Sequence, residues 1–385
     1  MNVSALRRPS RHQFNIFAVI ADFIKKNTVF SIALLLAAVT SVIVPFDAKY
    51  LSYFDFKTLC CLLCTLAVVD ALRNISFFTV LAERIVMLCG NLRLAVLALV
   101  YITFIGSMLI ANDMALITFL PLGYFVLKST GNEKYMAFVF IMQNISANLG
   151  GMLTPFGNPQ NLYLYSHFNI PTSDFMSAML LPFAVAVALI TVCCLFLPRE
   201  KVAILSPSKK SLPKARTAEY IILFALSIAL VFRVIPYAVG TAVILAALLF
   251  LDKKAIADVD WGLLGTFAAF FVFSGNMARI PAVANLMSGL LEKNTLLFSS
   301  LSCQFISNVP SAILLSEFTE NWRSLLVGVN IGGAGTLIAS LASLITFREY
   351  TSHSDGGAKK YIVLFSAFNF GFLALLLAVC SAAGY

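Results

Sequence analysis

Asn-Leu-Gly-Gly-Met-Leu-Thr at residues 148–154 and Asn-Ile-Gly-Gly-Ala-Gly-Thr at residues 330–336 are two copies of one motif. The positions that match without a gap are Asn148, Gly150, Gly151 and Thr154 in the first copy and Asn330, Gly332, Gly333 and Thr336 in the second. Each copy interrupts an apolar run, and a glycine pair weakens a helix at that point. The pattern predicts a chain of two related halves, each with a broken helix.

A second polar break lies upstream of each copy. It reads Ala-Asn-Asp-Met-Ala at residues 111–115 and Ser-Asn-Val-Pro-Ser at residues 307–311. The order is the same in both halves: a long apolar stretch, a break with asparagine, another apolar stretch, and the glycine-pair motif. We therefore expect a helical hairpin around each upstream break, at residues 94–127 and 295–318.

The composition indicates a membrane protein. Hydrophobic residues make up 60% of the chain and charged residues only 12%, whereas soluble domains carry about 25% charged residues. The apolar residues form blocks that approach the roughly 20 residues needed to cross a bilayer. The clearest blocks are residues 29–44, 94–110, 178–197, 220–232, 239–251 and 362–379. The prediction is an all-α membrane protein with about ten spans.

The basic residues predict its orientation. Cytoplasmic loops of membrane proteins collect Lys and Arg, which accounts for the net charge of +9 without a nucleic-acid partner. We expect a cytoplasmic segment at residues 1–27, in which residues 14–24 fit either a surface helix or a plain tail, and a basic cytoplasmic linker at residues 198–218. All but six of the 27 Lys and Arg residues then lie in the cytoplasm. The exceptions are Lys49, Lys57, Arg233, Arg279, Lys293 and Arg323.

The same orientation makes the two halves inverted. The first half, residues 28–197, has its hairpin on the cytoplasmic side, and the second half, residues 219–385, has its hairpin on the outer side. Inverted repeats with interrupted helices build the central site of many secondary transporters. Such breaks persist only where protein, water or a ligand satisfies the freed backbone groups. Half-helix N-termini favour anions, and freed carbonyls favour cations.

The sequence carries no cofactor or catalytic signature. Its eight cysteines lie in or beside apolar blocks, where free cysteine behaves as a small hydrophobe. None of the three histidines lies in the middle of a block, which leaves a haem or zinc site without ligands. Neither an H-E-x-x-H motif nor a P-loop occurs. We expect no cofactor and no enzymatic activity.

The residues after the first glycine pair supply polar groups for a site. Residues 155–161 read Pro-Phe-Gly-Asn-Pro-Gln-Asn, a run that we interpret as too rich in Gly and Pro to be helical. The second half offers only Ser340 and Ser343 at the matching places. The site is therefore expected to be asymmetric, with more polar contacts from the first half.

Asp113 is the ionisable residue that the hairpin prediction places at membrane depth, where such residues are costly and by default functional. It would bind Na⁺ as a carboxylate or carry H⁺; the structural alternative is a hydrogen-bonded aspartate that holds the hairpin tip. Asp70, three residues before Arg73, is expected to form an ion pair at a span end. No Lys or Arg falls at the predicted midplane, so helix ends and amides would hold an anion.

Each motif alone also has a structural explanation. A glycine pair is commonly a packing contact between membrane helices, and Pro155 or Pro310 alone would be a kink. A lone buried asparagine commonly makes an interhelical hydrogen bond. Recurrence of both motifs in the same order favours the functional interpretation, because paired interruptions mark the site in transporters.

Together the motifs resemble the ion transporter superfamily, which includes divalent-anion/sodium symporters, citrate transporters, arsenite permeases and sodium/proton antiporters. The resemblance covers residues 28–380. It rests on residues 112–116, 153–161 and 306–311 and on the second glycine-pair motif. It implies a transport domain that carries both hairpins and moves like an elevator against a scaffold, often in a homodimer.

The hairpin tips depart from the symporters of this superfamily. In those proteins each tip carries Ser-Asn-Thr, which contacts substrate carboxylates and Na⁺. Here Asn112 and Asn308 match the asparagines, and both threonines are absent. The resemblance therefore shifts toward the arsenite and antiporter branches and toward compact bacterial inner-membrane permeases.

The leading hypothesis is a multi-pass secondary transporter of the bacterial inner membrane that moves a small anion or oxyanion with H⁺ or Na⁺. Its partners would be the solute, the coupling ion and membrane lipids. The alternatives are a Na⁺/H⁺ antiporter that uses Asp113 and, less favoured, a passive channel. Candidate Na⁺ ligands are Asn112, Asp113 and Asn308. The full set of expected binding residues is Asn112, Asp113, Asn148, Gly150, Gly151, Thr154, Gly157, Asn158, Gln160, Asn161, Ser307, Asn308, Asn330, Gly332, Gly333, Thr336 and Ser340.

Overall fold

A computed structural model describes residues 27–202, 211–354 and 356–385. Over these ranges the chain forms 17 α-helices and no strand, which confirms the all-α fold class. The helices of the first half are α1 (Thr28–Ile43), α2 (Phe56–Asn74), α3 (Phe77–Met87), α4 (Leu92–Ile110), α5 (Asn112–Ser129), α6 (Met136–Gly150), α7 (Pro159–His167) and α8 (Thr172–Leu195). Those of the second half are α9 (Lys214–Val231), α10 (Tyr237–Leu251), α11 (Lys253–Ala257), α12 (Trp261–Ala278), α13 (Pro281–Ile306), α14 (Asn308–Leu315), α15 (Trp322–Ile331), α16 (Leu341–His353) and α17 (Ala358–Ala382).

Several helices in the described residues are long and apolar enough to cross a bilayer. There are five of them, or up to six if the bent pair α2 and α3 forms one span. Helices α1 and α10 are apolar but shorter, with 16 and 15 residues. These findings support a multi-pass membrane protein, and the number of about ten spans stays a prediction.

We divide the helices into two groups. In the first, α1 packs on α12, and α2 packs on α9, α10 and α11; these helices are together called the scaffold group below. Helices α4 to α8, α14 to α17 and the second part of α13 form the other, the hairpin group. Within the scaffold, Asn276 of α12 donates to Ser41 Oγ of α1 at 3.1 Å, and Arg279 pairs with Asp47 at 2.7 Å. The hydrogen bond from Arg279 holds the pKa of Asp47 below its ordinary value.

Two helical arms connect the groups. Helix α3 leaves α2 at an angle of 59° after Ser76, whose φ is 59°, and leads into α4. In the second half, α13 starts at Pro281 and is broken at Asn294, whose φ is −165°. The part of α13 before this break is the second arm, and the part after it packs against α14.

The turns within the two expected hairpins share one geometry. Ala111 lies between α4 and α5 with φ 61° and ψ 153°, and Ser307 lies between α13 and α14 with φ 73° and ψ 160°. Positive φ is uncommon for a residue with a Cβ atom and recurs at functional sites. In both turns the next asparagine accepts from the backbone N–H that follows it, at 3.0 Å for Asn112 and 2.9 Å for Asn308.

The structure changes the expectation that residues 155–161 are not helical. Residues 159–161 are helical, because Pro159 occupies the first position of α7, where a proline removes no helical hydrogen bond. Helix α9 begins at Lys214, inside the range 198–218 that was expected to be linker. The start of that range is also anchored, since Leu92 N–H donates to the Glu200 carbonyl at 2.9 Å. The alternatives for residues 14–24 lie outside the described residues.

Candidate functional site

Both glycine-pair motifs interrupt the helical path of the hairpin group. Helix α6 ends at Gly150 and is followed by a 3-10 turn, Gly151–Leu153, and a short irregular segment; α7 then begins after Asn158. Helix α15 ends at Ile331, and α16 begins behind Ser340. Asn158 and Ser340 are both extended N-cap residues, with φ and ψ of −139° and 148° and of −148° and 142°. The sequence repeat is therefore also a repeat of local structure.

The first glycine of each pair is a packing contact. A Cβ atom on Gly150 would overlap the Phe104 carbonyl oxygen of α4 and lie 2.5 Å from Ser107 Oγ. A Cβ atom on Gly332 would lie 2.9 Å from Cys303 Sγ of α13. Gly150 and Gly332 therefore fit the structural explanation, a packing contact between membrane helices. The missing side chain lets each broken helix approach its hairpin closely.

The two motif threonines hold the hairpins. Thr154 Oγ1 donates to the Met108 carbonyl at 3.4 Å, and Thr336 Oγ1 donates to the Gln304 carbonyl at 3.0 Å. Met108 and Gln304 each lie four residues before the asparagine of a hairpin turn. Both hydroxyl groups are thereby engaged with the backbone of a hairpin.

Asn112 joins the first hairpin to broken helices of both halves. Its Nδ2 donates to Asn148 Oδ1 at 3.1 Å and to Ser340 Oγ at 3.3 Å, and all three residues are buried. The contact from residue 112 to residue 340 connects the two sequence halves. The structure therefore places these three predicted residues in one polar cluster, called the amide cluster below.

Asn308 reaches the same cluster from the second hairpin. Its backbone N–H donates to the Ala339 carbonyl at 3.0 Å, and Ser307 Oγ donates to the same carbonyl at 3.3 Å. A Cβ atom on Gly333 would lie 3.3 Å from Asn308 Nδ2 and 4.0 Å from Asn148 Cβ. Gly333 thus lies between the asparagine of one hairpin and that of the opposite broken helix.

Asn161 and Asn330 brace the centre of the hairpin group. Asn330 Nδ2 donates to Asn161 Oδ1 at 2.6 Å. Asn161 Nδ2 in turn lies 3.1 Å from the Gly151 carbonyl and 3.2 Å from the Met152 and Thr154 carbonyls. These are carbonyls that the break after α6 frees, so Asn161 meets the need for backbone satisfaction inside a membrane.

Several polar atoms of the predicted site residues are buried without a hydrogen-bond partner among the described residues. Asn158 is 1% exposed, and neither end of its amide is paired. Leaving one buried polar group unpaired costs about 1–3 kcal/mol. Further unpaired atoms are Asn148 Nδ2, Asp113 Oδ1, Gln160 Oε1 and Asn330 Oδ1. A bound solute or water molecule is one explanation for such unpaired groups.

Close contacts of two glycines position Asn158. A Cβ atom on Gly151 would lie 2.6 Å from Asn158 Oδ1, so only a glycine leaves space for this amide. A Cβ atom on Gly157 would overlap the Gly151 carbonyl oxygen. Gln160 is buried on the first turn of α7, but no hydrogen bond connects it to the amide cluster.

Asp113 follows Asn112 on the first turn of α5. Its backbone N–H donates to Asn112 Oδ1, and its carboxylate interacts with the backbone N–H of Ala342 in α16. The carboxylate thus helps to hold the hairpin tip while one of its oxygens, Oδ1, is buried and unpaired. In the described residues no group of three His, Cys, Asp or Glu side chains is placed to hold a metal ion.

Comparison with known proteins identifies the family. Residues 16–321, most of the chain, match the family described as citrate transporter, CitMHS. The chain belongs to the citrate transporter family. Two relatives of this family member extend over most of both sequences. An uncharacterised transporter of Methanocaldococcus jannaschii, MJ0456, is 32% identical over 295 residues, which are 76% of this chain and 81% of the relative. Inner membrane protein YbiR of Escherichia coli is 27% identical over 329 residues, which are 83% and 87% of the two chains.

In this citrate transporter family member, the scaffold brings a basic side chain to the first hairpin, while the absence of Lys and Arg at the midplane stays a prediction. Arg73 of the scaffold donates from Nη1 to Met114 Sδ at 2.9 Å, so a guanidinium does reach the tip of the first hairpin. The expected ion pair between Arg73 and Asp70 is confirmed at 2.9 Å. Sequence reasoning placed Arg73 at a span end and could not place its side chain against a hairpin of the other helix group.

Gln304 is an organising residue that the sequence reasoning missed. Its Nε2 donates to the Gly332 carbonyl at 2.8 Å, and its Oε1 accepts from Thr336 N–H at 2.8 Å. Gln304 thereby provides hydrogen-bond partners for backbone groups that the helix break frees in the second half, as Asn161 does in the first half. The available signal was a glutamine in an apolar run, one turn before the turn at Ser307.

Proposed function

We propose that this protein is a secondary active carrier for a small anion or oxyanion, coupled to Na⁺ or H⁺. The observation that carries the proposal is the meeting of three half-helix N-termini, those of α5, α14 and α16, at the amide cluster. We propose that Asn158, at the N-terminus of α7, completes the site. Helix N-termini attract anions through their free N–H groups and their dipoles. Buried, unpaired side-chain amides beside them support the same assignment.

The anion is held by dipoles and amides. The donors proposed for it are Asn148 Nδ2 and Asn158 Nδ2, which are buried and unpaired in the described residues. An amide presents both donor and acceptor groups, so the site tolerates a protonated oxyanion as well as a carboxylate. A site of this kind recognises a ligand by its shape and hydrogen bonds, not by one fixed opposite charge. This property fits a small solute.

The cation is assigned to the hairpin tips. Oxygens of Asn112, Asp113 and Asn308 are the proposed ligands, with Asp113 Oδ1 as the buried atom that has no other partner. An anion beside a charged carboxylate is repelled, and a bound cation removes that repulsion. Each ligand therefore raises the affinity for the other, which is the physical basis of coupled transport.

A Na⁺/H⁺ antiporter is the second candidate function. It is favoured by one observation, the buried and unpaired Asp113 Oδ1, which is suited to alternate binding of the two cations. It assigns no role to the unpaired amides of Asn148 and Asn158. The two functions differ in whether an anion is required for ion movement.

Anion binding is tested directly by thermal unfolding of the purified carrier. A bound ligand at 100 times its Kd stabilises a protein by about 2.7 kcal/mol. We expect one anion among citrate, succinate, phosphate and arsenite to raise the midpoint of unfolding, and Asn158→Ala to remove this shift. The side chain of Asn158 makes no capping hydrogen bond, so the variant is expected to stay folded.

The matched control is Asn369→Ala on α17. Asn369 is also fully buried. In the part of the chain that the structure describes, its Oδ1 is unpaired and its side chain bonds only to the Phe365 carbonyl on its own helix. The control is expected to keep the anion-dependent shift. A shift that survives Asn158→Ala, or that disappears equally in both variants, contradicts the assigned site.

We further propose that the hairpin group moves against the scaffold group, as an elevator. Support comes from the division of the helices, from the arms that connect the groups and from the presence of both hairpins in one group. On the charge-based orientation, the last turn of α2 faces the cytoplasm. Since Arg73 in that turn touches Met114, we assign the arrangement to an inward-facing state.

A cross-link between the groups is expected to stop transport. Ser274 Oγ of the scaffold donates to the Ile313 carbonyl of α14 at 2.9 Å. We expect a disulfide between Ser274→Cys and Ile313→Cys, in an active background without the eight native cysteines, to abolish uptake, and a reductant to restore it. Full uptake by the oxidised variant contradicts the motion, and each single cysteine variant serves as control.

A further inference from the structure

Arg73 has one strong and one weak partner. Its Nη2 pairs with Asp70 Oδ1 at 2.9 Å on the same helix, and its Nη1 contacts Met114 Sδ at 2.9 Å across the boundary between the helix groups. A thioether sulfur is a weak acceptor. The guanidinium therefore lies at the hairpin tip with part of its donor capacity poorly used.

Two carboxylates depend on this environment, that of Asp70, which is buried, and that of Asp113, which is half-buried. Asp70 is 1% exposed, and apart from its ion pair neither carboxylate oxygen has a hydrogen-bond partner among the described residues. Asp113 is adjacent in sequence to Met114, which Arg73 touches, and its Oδ1 is buried and unpaired. A buried carboxylate without a partner is strongly unfavourable. When no Na⁺ is bound at the site, the Asp113 carboxylate therefore needs another positively charged partner.

The other charges near these groups are mainly negative. Asp258 and Asp260 lie between α11 and α12. Their negative charges repel that of Asp70, and the charge of Asp260 also repels that of Asp113. Lys254 lies 3.9 Å from Asp258, at the exposed side. Asp260 accepts from the Leu263 N–H at 2.8 Å and caps α12. Among the described residues, Arg73 is the cation that contacts the hairpin tip itself.

We propose that Arg73 is the internal counter-ion of the first hairpin, which exchanges Asp70 for Asp113 when Na⁺ leaves the site and so competes with Na⁺. This rests on the proposed cation site at Asp113. Arg73 is a positioning residue in this scheme, and Asp70 is its resting partner. Na⁺ then binds only to those molecules in which Asp113 is not paired with Arg73. The apparent affinity for Na⁺ is reduced in proportion to the fraction of such molecules.

The proposal predicts opposite effects for the two members of one ion pair. Arg73→Gln removes the competitor and is expected to lower the apparent Kd for Na⁺ by roughly fivefold or more, the scale of ordinary coupling between sites. Asp70→Asn removes the resting partner, drives the guanidinium toward Asp113 and raises the apparent Kd. A merely structural pair would change the Kd in the same direction in both variants.

The apparent Kd is measured from the thermal midpoint of the purified carrier during a Na⁺ titration, with choline chloride keeping the ionic strength constant. Arg73→Gln leaves Asp70 without its partner and can fail to fold, so the double variant Asp70→Asn with Arg73→Gln is measured as well and is expected to bind Na⁺ as tightly as Arg73→Gln. Arg84→Gln, an exposed arginine on α3, is the control and is expected to match the unmodified carrier.

Three results overturn the exchange: equal-sign shifts in Arg73→Gln and Asp70→Asn, a double variant that binds Na⁺ as weakly as Asp70→Asn, or no Na⁺ response in the unmodified carrier. The anion-dependent shift of the midpoint, measured on the same samples, separates this failure from failure of the proposed function. If the anion shift persists, only the exchange is wrong. If it is absent as well, the carrier assignment fails too.

Discussion

Replacing Asp113 with asparagine is expected to abolish coupled uptake and to leave the protein folded. Asparagine keeps the size of the side chain and removes the charge that the proposed cation needs. A coupling free energy of 1–3 kcal/mol corresponds to roughly 5–150-fold in affinity, so the cation dependence of uptake is expected to disappear. Uptake of labelled anion into proteoliposomes, with and without a Na⁺ or pH gradient, measures this effect.

The control for Asp113→Asn is Asp174→Asn, which removes an exposed carboxylate from the first turn of α8. It is expected to transport normally. Cation-stimulated uptake that persists in Asp113→Asn would show that the carboxylate only holds the hairpin tip through Ala342. The structural alternative for this residue would then be correct.

Replacing Gly150 with alanine is expected to cause the largest loss of stability among the motif residues. The new Cβ would overlap the Phe104 carbonyl oxygen, a backbone atom that cannot move away without a shift of α4. Overpacking of this kind costs about 1–3 kcal/mol. A lower midpoint of thermal unfolding, together with a reduced monodisperse fraction on size-exclusion chromatography, is the expected result.

Gly371→Ala is the matched control, because a Cβ atom at Gly371 of α17 would meet no described atom within 4 Å apart from the backbone of its own helix. It is expected to unfold at or slightly above the midpoint of the unmodified protein, since alanine favours a helix over glycine. Equal midpoints for Gly150→Ala and Gly371→Ala would contradict the close approach of α6 to the first hairpin.

Much of the fold was readable from the sequence because the signals recur. The Asn-x-Gly-Gly motif predicted breaks after α6 and α15, and the polar interruptions near residues 111 and 307 predicted turns. Apolar blocks predicted helices such as α1 and α17. These features depend on local backbone chemistry, which a single sequence encodes. The inverted orientation of the halves depends on the membrane and stays a prediction.

The parts that the sequence did not reveal depend on contacts between distant residues. The role of Gln304 requires the carbonyls of Gly332 and Ala334 to lie beside it. The position of Arg73 requires the scaffold to meet the first hairpin. The helical start at Pro159 was missed for a different reason, since proline was counted as a breaker although it is favourable at the first helical position.

The most direct test of the carrier assignment is ion movement in proteoliposomes loaded with a pH-sensitive dye, under an imposed Na⁺ gradient. The Na⁺ pulse is given alone and then with citrate, succinate, phosphate or arsenite, each also followed by uptake of the labelled anion. We expect no proton movement on Na⁺ alone. We also expect cation-stimulated uptake of one of these anions, which is lost in Asn158→Ala and kept in Asn369→Ala. Proton movement on Na⁺ alone, unchanged by every anion, would contradict the account and identify a Na⁺/H⁺ antiporter.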